Sequence, residues 1–264
     1  MRAQRPAVWF AAVLVVGAVT AATPPASNTS APRTRYAAIA FDALVLFNPD
    51  SVASVAEREF PGKGRALTDI WRTRQFEYGW LRSIAGRYVD FWTLTEDALV
   101  YAGHALQIEM TPAKKRRLMD AYLRLEPWPD TEQGLRRLRD AGIRIVTVTN
   151  FSPAMLEANA TRAGLGTLFD ALLSTDTNHT YKPDPRAYQL AVDRLLVPKR
   201  RIVYAAFGGW DAAGAKSFGY TTVWVNRLGQ PAEELGFRPD LTVSDLKGLL
   251  DFVLPDITSS GTRN

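Results

Sequence analysis

Two hydrophobic rhythms divide this chain. Short apolar runs of strand length recur at residues 36–42, 143–149, 169–174, 201–207, 221–225 and 241–243. Between the later runs, apolar residues return at three- and four-residue steps, the period of a helix with one buried face. That pattern predicts helices over 131–141, 153–164, 184–196 and 210–218, and a last one capped by Ser244-Asp245. Gly142 and Gly164 mark helix stops and Pro153 a helix start. Strands alternating with helices argue for a parallel sheet covered on both faces. The expected fold class is α/β: a doubly wound, Rossmann-like parallel-sheet core with an inserted helical cap domain.

The insertion is read from a long gap in the strand signal, residues 52–128. Leu67, Ile70, Trp71, Arg74, Tyr78, Leu81 and Ala85 predict one face of a long helix there. A second helix is expected from Thr95, and a third opens at Thr111-Pro112. The core is then 36–51 with 129–255, and the cap 52–128. Ahead of the core, Arg2 and Arg5 precede an apolar stretch over 7–19, with small residues after it. This reads as a secretory signal over 1–22, followed by a linker over 23–35. The expected location is exported, periplasmic or secreted. A membrane association arises only if the segment stays uncleaved as an anchor, and it is short against the ~20 apolar residues of a span.

Four polar stations fall at or near the ends of apolar runs: Asp42, Thr149-Asn150, Lys182 and Asp211. In parallel α/β sheets, ligands sit outside the carboxyl ends of the strands. A carboxylate, a hydroxyl with an amide, an ammonium and a second carboxylate in that order are an active-site layout. Each has a plainer reading alone. A strand-end Asp is commonly a cap, Lys182 precedes Pro183 at a helix entry, and Asp211 opens a helix.

Composition narrows the chemistry. The chain has 264 residues, 47% hydrophobic and 22% charged, which suits a globular enzyme-sized core. There is no cysteine, so disulfides, thiol nucleophiles and Cys-ligated zinc are excluded. His104 and His179 are the only histidines, too few for a His-rich metal site. No cofactor or metal is expected. The net charge of +5 is dispersed, and the one basic run, Lys114 to Arg117, lies on a helix. It reads as a solvated face, so no nucleic-acid partner is expected.

Several segments carry a family likeness. They are 71–82 (WRTRQFEYGWLR), 181–188 (YKPDPRAY), 209–215 (GWDAAGA) and 222–227 (TVWVNR). With these the chain resembles the haloacid dehalogenase superfamily, and within it the L-2-haloacid dehalogenases (type II), from residue 36 to about 251. The resemblance implies that Asp42 attacks C2 of a haloacid and that Arg72 receives the halide. It implies that Thr149, with Asn150 beside it, holds the substrate carboxylate, and that Lys182 orients Asp42. Asp211 positions Lys182 or the hydrolytic water, Tyr188 supports the pocket, and Phe91 and Trp210 form apolar wall. The partner implied is a small-molecule 2-haloacid, and a homodimer through the cap's apolar helix face is possible by likeness. Around Asp42 the chain departs from the family. Leu44, Val45 and Leu46 stand where an aromatic residue (Tyr) and then Gly-Thr are usual, leaving Leu44 in the pocket. Ala206 and Gly208 stand where Ser and Asn are usual.

Three functions compete at this level. The first is a hydrolytic dehalogenase that turns an (S)-2-haloacid into a 2-hydroxyacid through an aspartyl ester. The second is a catalytically impaired protein of the same fold that binds a small acid, motivated by the five departures. The third is a superfamily phosphatase, which lacks its expected carboxylates at Leu44 and Ala206.

Overall fold

β1 (Ala38–Phe41) is wholly buried, which suits a central strand of a parallel sheet. Asp42 ends it and caps the single-turn helix α1 (Ala43–Leu46). The computed structural model describes residues 35–254; the expected signal segment and most of the linker lie outside them. After α1 come β2 (Phe47–Asn48), α2 (Asp50–Glu59), α3 (Gly64–Ile84), α4 (Phe91–Ala105), α5 (Pro112–Ala121) and β3 (Glu126–Pro127). Then follow α6 (Thr131–Asp140), β4 (Arg144–Thr147), α7 (Pro153–Arg162), α8 (Pro185–Leu195), β5 (Ile202–Ala206), α9 (Gly209–Phe218), β6 (Thr221–Val225), β7 (Leu241–Val243) and α10 (Leu246–Val253).

The main sheet runs β4-β1-β5-β6-β7, with every pairing parallel. Phe41 registers with Thr147 on one side and Ala205 on the other. Asp42, Thr149 and the 206–211 segment therefore leave the sheet at one edge. Strand alternation sorts the core into two layers. Ile39, Phe41, Val203 and Ala205 pack on one face; Ala38, Ala40, Tyr204 and Ala206 pack on the other.

The helical block inserted after β1 is pinned at its base. β2 pairs antiparallel with β3, so Phe47 faces Pro127 and the chain enters and leaves at one point. This short pairing was not foreseen in the 52–128 gap. Two further expectations need correction there. The buried stripe of α3 is Leu67, Thr68, Trp71, Gln75 and Gly79, while Leu81 and Ala85 are exposed. The stripe turns because polar residues bury with partners: Trp71 Nε1 donates to Thr95 O at 2.8 Å, and Gln75 Nε2 to Thr95 Oγ1 at 2.9 Å. α4 begins at Phe91 rather than near Thr95, since the Asp90 carboxylate accepts from the Trp92 and Thr93 N–H groups.

The expected strand over 169–174 forms only isolated bridges, Val146 to Ala171 and Thr149 to Ser174. Backbone bonds still join the segment to β4 and its end, Asp170 N–H to Ile145 O at 2.7 Å and Thr149 N–H to Leu173 O at 3.2 Å, but side chains interrupt the ladder at two points. Ile145 N–H donates to the Asp170 carboxylate, and Leu173 N–H donates to Thr147 Oγ1 at 2.8 Å. Three residues of the basic run over 114–117 are partnered within the fold, while Arg116 is exposed: Lys115 pairs with Glu96 and Arg117 with Glu59, and the Lys114 ammonium lies 4.3 Å from the Phe60 ring centre. Among the described residues, no helix is long and apolar enough to cross a membrane.

Candidate active site

Asp42 leaves β1 with extended dihedrals, and its Oδ1 accepts the Leu44 N–H at 2.9 Å. The plain capping reading is thus satisfied by one oxygen. The other oxygen is 2.5 Å from Lys182 Nζ. Lys182 sits just ahead of α8, where its backbone N–H donates to Asn150 Oδ1 at 3.0 Å and its carbonyl accepts from Trp80 Nε1 at 3.2 Å. These two contacts, one from the core and one from α3, hold the residue on both sides. Lys182 is 1% exposed, and its ammonium also donates to Asp211 Oδ2 at 2.8 Å.

Asp211 lies in the first turn of α9, where the helix dipole favours a carboxylate. It is equally buried, and Tyr188 Oη donates to its Oδ1 at 2.9 Å. Burial pushes the Asp211 carboxyl above the ordinary range; Lys182 opposes this and nearby Asp42 adds to it. For Lys182, burial disfavours the charge, but the two carboxylates overcome it and hold the ammonium above its ordinary value. A buried cation between two carboxylates keeps the cluster at a single net negative charge, close to what a low-dielectric site tolerates.

Above this cluster lies a cavity of about 90 Å³, lined by residues of the sheet edge and the inserted helices. Asp42, Leu44, Arg72, Phe91, Thr149, Asn150, Lys182, Trp210 and Asp211 all reach it. Tyr188 does not; it stands behind Asp211 as a hydrogen-bond donor. Arg72 satisfies both of its readings, since Nη2 is 3.2 Å from Asp50 Oδ1 while the side chain also lines the cavity. Thr149 Oγ1 accepts the Phe151 N–H at 3.3 Å, and Asn150 Oδ1 accepts from Lys182 N and Thr175 Oγ1, leaving the Asn150 amide N–H₂ as a donor. Phe91 stacks at 5.7 Å on Phe151, and Trp210 meets Phe76 edge-on at 5.2 Å.

Some lining residues escaped the sequence reading. Gln75, Phe76, Tyr122 and Phe207 reach the cavity. Gln75 and Tyr122 are tied together, Tyr122 Oη donating to Gln75 Oε1 at 2.8 Å, and burial raises the Tyr122 phenol to about 12. Tyr204 was missed too. Its hydroxyl is 3.0 Å from Lys182 Nζ and 3.1 Å from Asp211 Oδ2. The only signal was its position two residues before Ala206 on one strand, which places both on the same face. His104 and His179 are absent from the cavity lining.

The site can support a carboxylate nucleophile. Asp42 is 8% exposed, faces an apolar cavity and has a fixed cation beside it. A guanidinium on the opposite element offers a place for departing negative charge. Both facing carboxylate oxygens of Asp42 and Asp211 are occupied by one ammonium. Among the described residues, no group of three or more His, Cys, Asp or Glu is arranged to hold a metal ion.

Known proteins share this arrangement's framework. A family model described as haloacid dehalogenase-like hydrolase matches residues 29–219. The chain is 40% identical to the (S)-2-haloacid dehalogenase of Pseudomonas sp. (strain YL), over 81% of this chain and 92% of that protein. Among solved structures, the L-2-haloacid dehalogenase RSc1362 aligns with a TM-score of 0.81 at 42% identity, covering 83% of this chain and 98% of that one. The L-2-haloacid dehalogenase from Xanthobacter autotrophicus with chloropropionic acid covalently bound aligns at 0.78 and 34%, with the same coverage. A fold built around strand-end Asp42, an inserted helical block and this degree of identity lead to one conclusion: the chain belongs to the haloacid dehalogenase-like hydrolases.

Proposed function

We propose that the protein is a hydrolytic dehalogenase of small (S)-2-haloacids, with Asp42 as its nucleophile. The observation that carries this is the Asp42–Lys182–Asp211 cluster at the floor of a small cavity that Arg72 also lines. The Asp42 carboxylate attacks C2, the carbon–halogen bond breaks, and the halide leaves toward the Arg72 guanidinium. Thr149 and the Asn150 amide hold the substrate carboxylate, which fixes the line of attack. An ester of Asp42 results, and Lys182 then faces only Asp211 as an anion. Water adds to Cγ of Asp42, giving a proton to Asp211, whose affinity for protons is raised by burial. Collapse breaks the ester bond, the alkoxide takes the proton back from Asp211, and the hydroxyacid leaves; Asp42, left as the acid, releases the second proton of the water to solvent and is a carboxylate again. Attack from behind inverts C2 once and hydrolysis at Cγ leaves C2 untouched, so an (S)-haloacid gives an (R)-hydroxyacid.

The cavity of about 90 Å³ argues for a substrate of a few heavy atoms. The catalytically impaired reading is not favoured, because the cation and both carboxylates are in contact despite Leu44, Leu46 and Ala206. The phosphatase reading is disfavoured on chemistry: a hard dication wants several oxygen ligands, and here a lysine bridges the available carboxylates. The test is chloride and lactate release from L-2-chloropropionate without added metal, wild type against Asp42→Asn. Release by wild type and none by the variant is expected; equal release would sink the assignment.

Export rests on the pattern over 1–22 alone, and the mass of the mature protein recovered from a periplasmic extract tests it. Exposed Leu81 and Ile84 on α3 support a homodimer, which light scattering of the purified protein tests.

A further inference from the structure

An ammonium buried this deeply must place all three of its N–H bonds, because an orphaned donor in an apolar interior forfeits its hydration without replacement, and a charged one most of all. Two N–H bonds of Lys182 go to Asp42 and Asp211. The third goes to the Tyr204 hydroxyl at 3.0 Å. That hydroxyl has one proton to give. Its acceptors are Asp211, at 3.1 Å from Oδ2 and 3.3 Å from Oδ1, and the Val148 carbonyl at 3.3 Å. The charged acceptor is the stronger one.

The Tyr204 ring cannot wander. Its strand is paired on both sides, the ring stacks on Tyr220 at 5.6 Å, and it meets Tyr188 edge-on at 5.3 Å. Asp42, by contrast, receives hydrogen bonds from the Leu44 N–H and Lys182. Leu44 and Gly208, which line the same cavity, bring no polar side chain. The aim of Asp42 therefore depends on Lys182, and the aim of Lys182 depends on its other two acceptors.

We propose that Tyr204 is a positioning residue of the reaction: its hydroxyl takes the third N–H of Lys182 and gives its proton to Asp211, locking the ammonium onto Asp42. This rests on the dehalogenase reading of the site. The lock matters most in the second half of the reaction. Once Asp42 is an ester, its pull on Lys182 weakens, and Asp211 with Tyr204 keeps the ammonium in place. When Asp211 takes the proton of water, the Tyr204 hydroxyl turns to the Val148 carbonyl and still accepts from Lys182. No donor is orphaned in either state.

The titratable groups facing Asp211 are Lys182, Asp42, Tyr188 and Tyr204. Tyr204→Phe removes one donor to its ionised form and nothing from its packing. The expected result is a fall in kcat of about 10- to 100-fold, the worth of one charge-assisted hydrogen bond, with KM within about twofold. The acid limb of the kcat profile moves to higher pH, because ionised Asp211 has lost a partner. Incorporating 3-fluorotyrosine at 204 keeps the ring and strengthens the donor, so the limb moves the other way. A packing role alone would move neither limb, and limbs coincident with wild type overturn the proposal. A readout independent of turnover is the Lys182 ammonium signal in the ¹⁵N-lysine-labelled protein, identified by its loss in Lys182→Met. Its proton exchange is expected to rise at least about tenfold in Tyr204→Phe, the loss of one protecting bond; unchanged exchange overturns the proposal. Absence of halide release from the wild type would instead sink the dehalogenase reading, and the exchange measurement would still decide the role of Tyr204.

Discussion

Lys182→Met removes the buried cation and leaves a side chain of similar length. The variant therefore isolates charge from volume. Lys182 Nζ contacts Asp42 at 2.5 Å and Asp211 at 2.8 Å, and Asp211 is 1% exposed. Removing one partner of such a buried pair costs about 3–5 kcal/mol, because the remaining charge is uncompensated. The two pairs share one cation, so the losses do not simply add. For a domain of this size each kcal/mol lowers Tm by about 2–4 °C, so a fall of roughly 6–20 °C is expected near neutral pH. The pH dependence carries the sign. In the wild type the raised folded pKa of Lys182 means its stabilisation is full below the unfolded value, about 10.4, and is lost as pH rises through the folded value. In the variant, burial and Asp42 still raise Asp211, now with no cation opposing them. Its ionised form then costs stability, and protonation on acidification restores it. The deficit is therefore expected to be largest near neutrality and to shrink as pH falls toward 3.8, the ordinary Asp value. Urea unfolding of both proteins near neutrality and near about pH 5 reads this directly. A deficit under about 1 kcal/mol at neutrality, well below the buried-pair range, or one that grows on acidification, would refute the electrostatic argument.

The other predictions concern the same cavity. Arg72→Lys keeps a charge but loses the planar fork, and kcat for halide release is expected to fall about 10²–10³-fold, as for loss of one donor to developing charge; stopped-flow halide detection measures it, and a loss under about threefold would count against Arg72 as the halide site. Asp211→Asn removes the base, so a burst of halide without steady hydroxyacid is expected, with the ester on Asp42 visible by intact mass. For the wild type, the acid limb of hydrolysis is expected above 3.8, the ordinary Asp value, because burial raises Asp211. In α9, Gly214→Ala gains about 1 kcal/mol of helix propensity, but the new Cβ overlaps the Tyr188 hydroxyl and comes within 2.7 Å of Pro183 Cβ. Overpacking of about 1–3 kcal/mol wins, so thermal melts are expected to show a lower Tm and turnover to fall as Tyr188 leaves Asp211.

Regular elements with strong apolar runs were legible. The strands over 221–225 and 241–243 and the Thr111-Pro112 helix start appear where the pattern places them. Asp42, Lys182 and Asp211 converge because the strand end, the α8 entry and the α9 first turn that carry them lie at one edge of the sheet, as the parallel topology foretells. What failed has a common cause: buried polar groups with distant partners. Gln75 and Thr95 turned the face of α3 because each satisfies the other, a pairing twenty residues apart in sequence. The expected strand over 169–174 keeps part of its backbone ladder and is interrupted where the Thr147 and Asp170 side chains take N–H groups. Tyr204 reads as an ordinary aromatic in a buried strand until Lys182 is brought against it. Arg72 shows that a surface ion pair and a pocket residue can be one side chain.

The account turns on whether Asp42 itself bonds to the substrate carbon. A single turnover in H₂¹⁸O, with enzyme in excess over L-2-chloropropionate, followed by mass analysis of the peptide containing Asp42, asks this directly. Attack of water on Cγ of an Asp42 ester places heavy oxygen in the Asp42 carboxylate and none in the lactate hydroxyl. Heavy oxygen in the lactate and an unlabelled Asp42 peptide would mean that water displaced the halide itself, and the proposed role of Asp42 would be wrong.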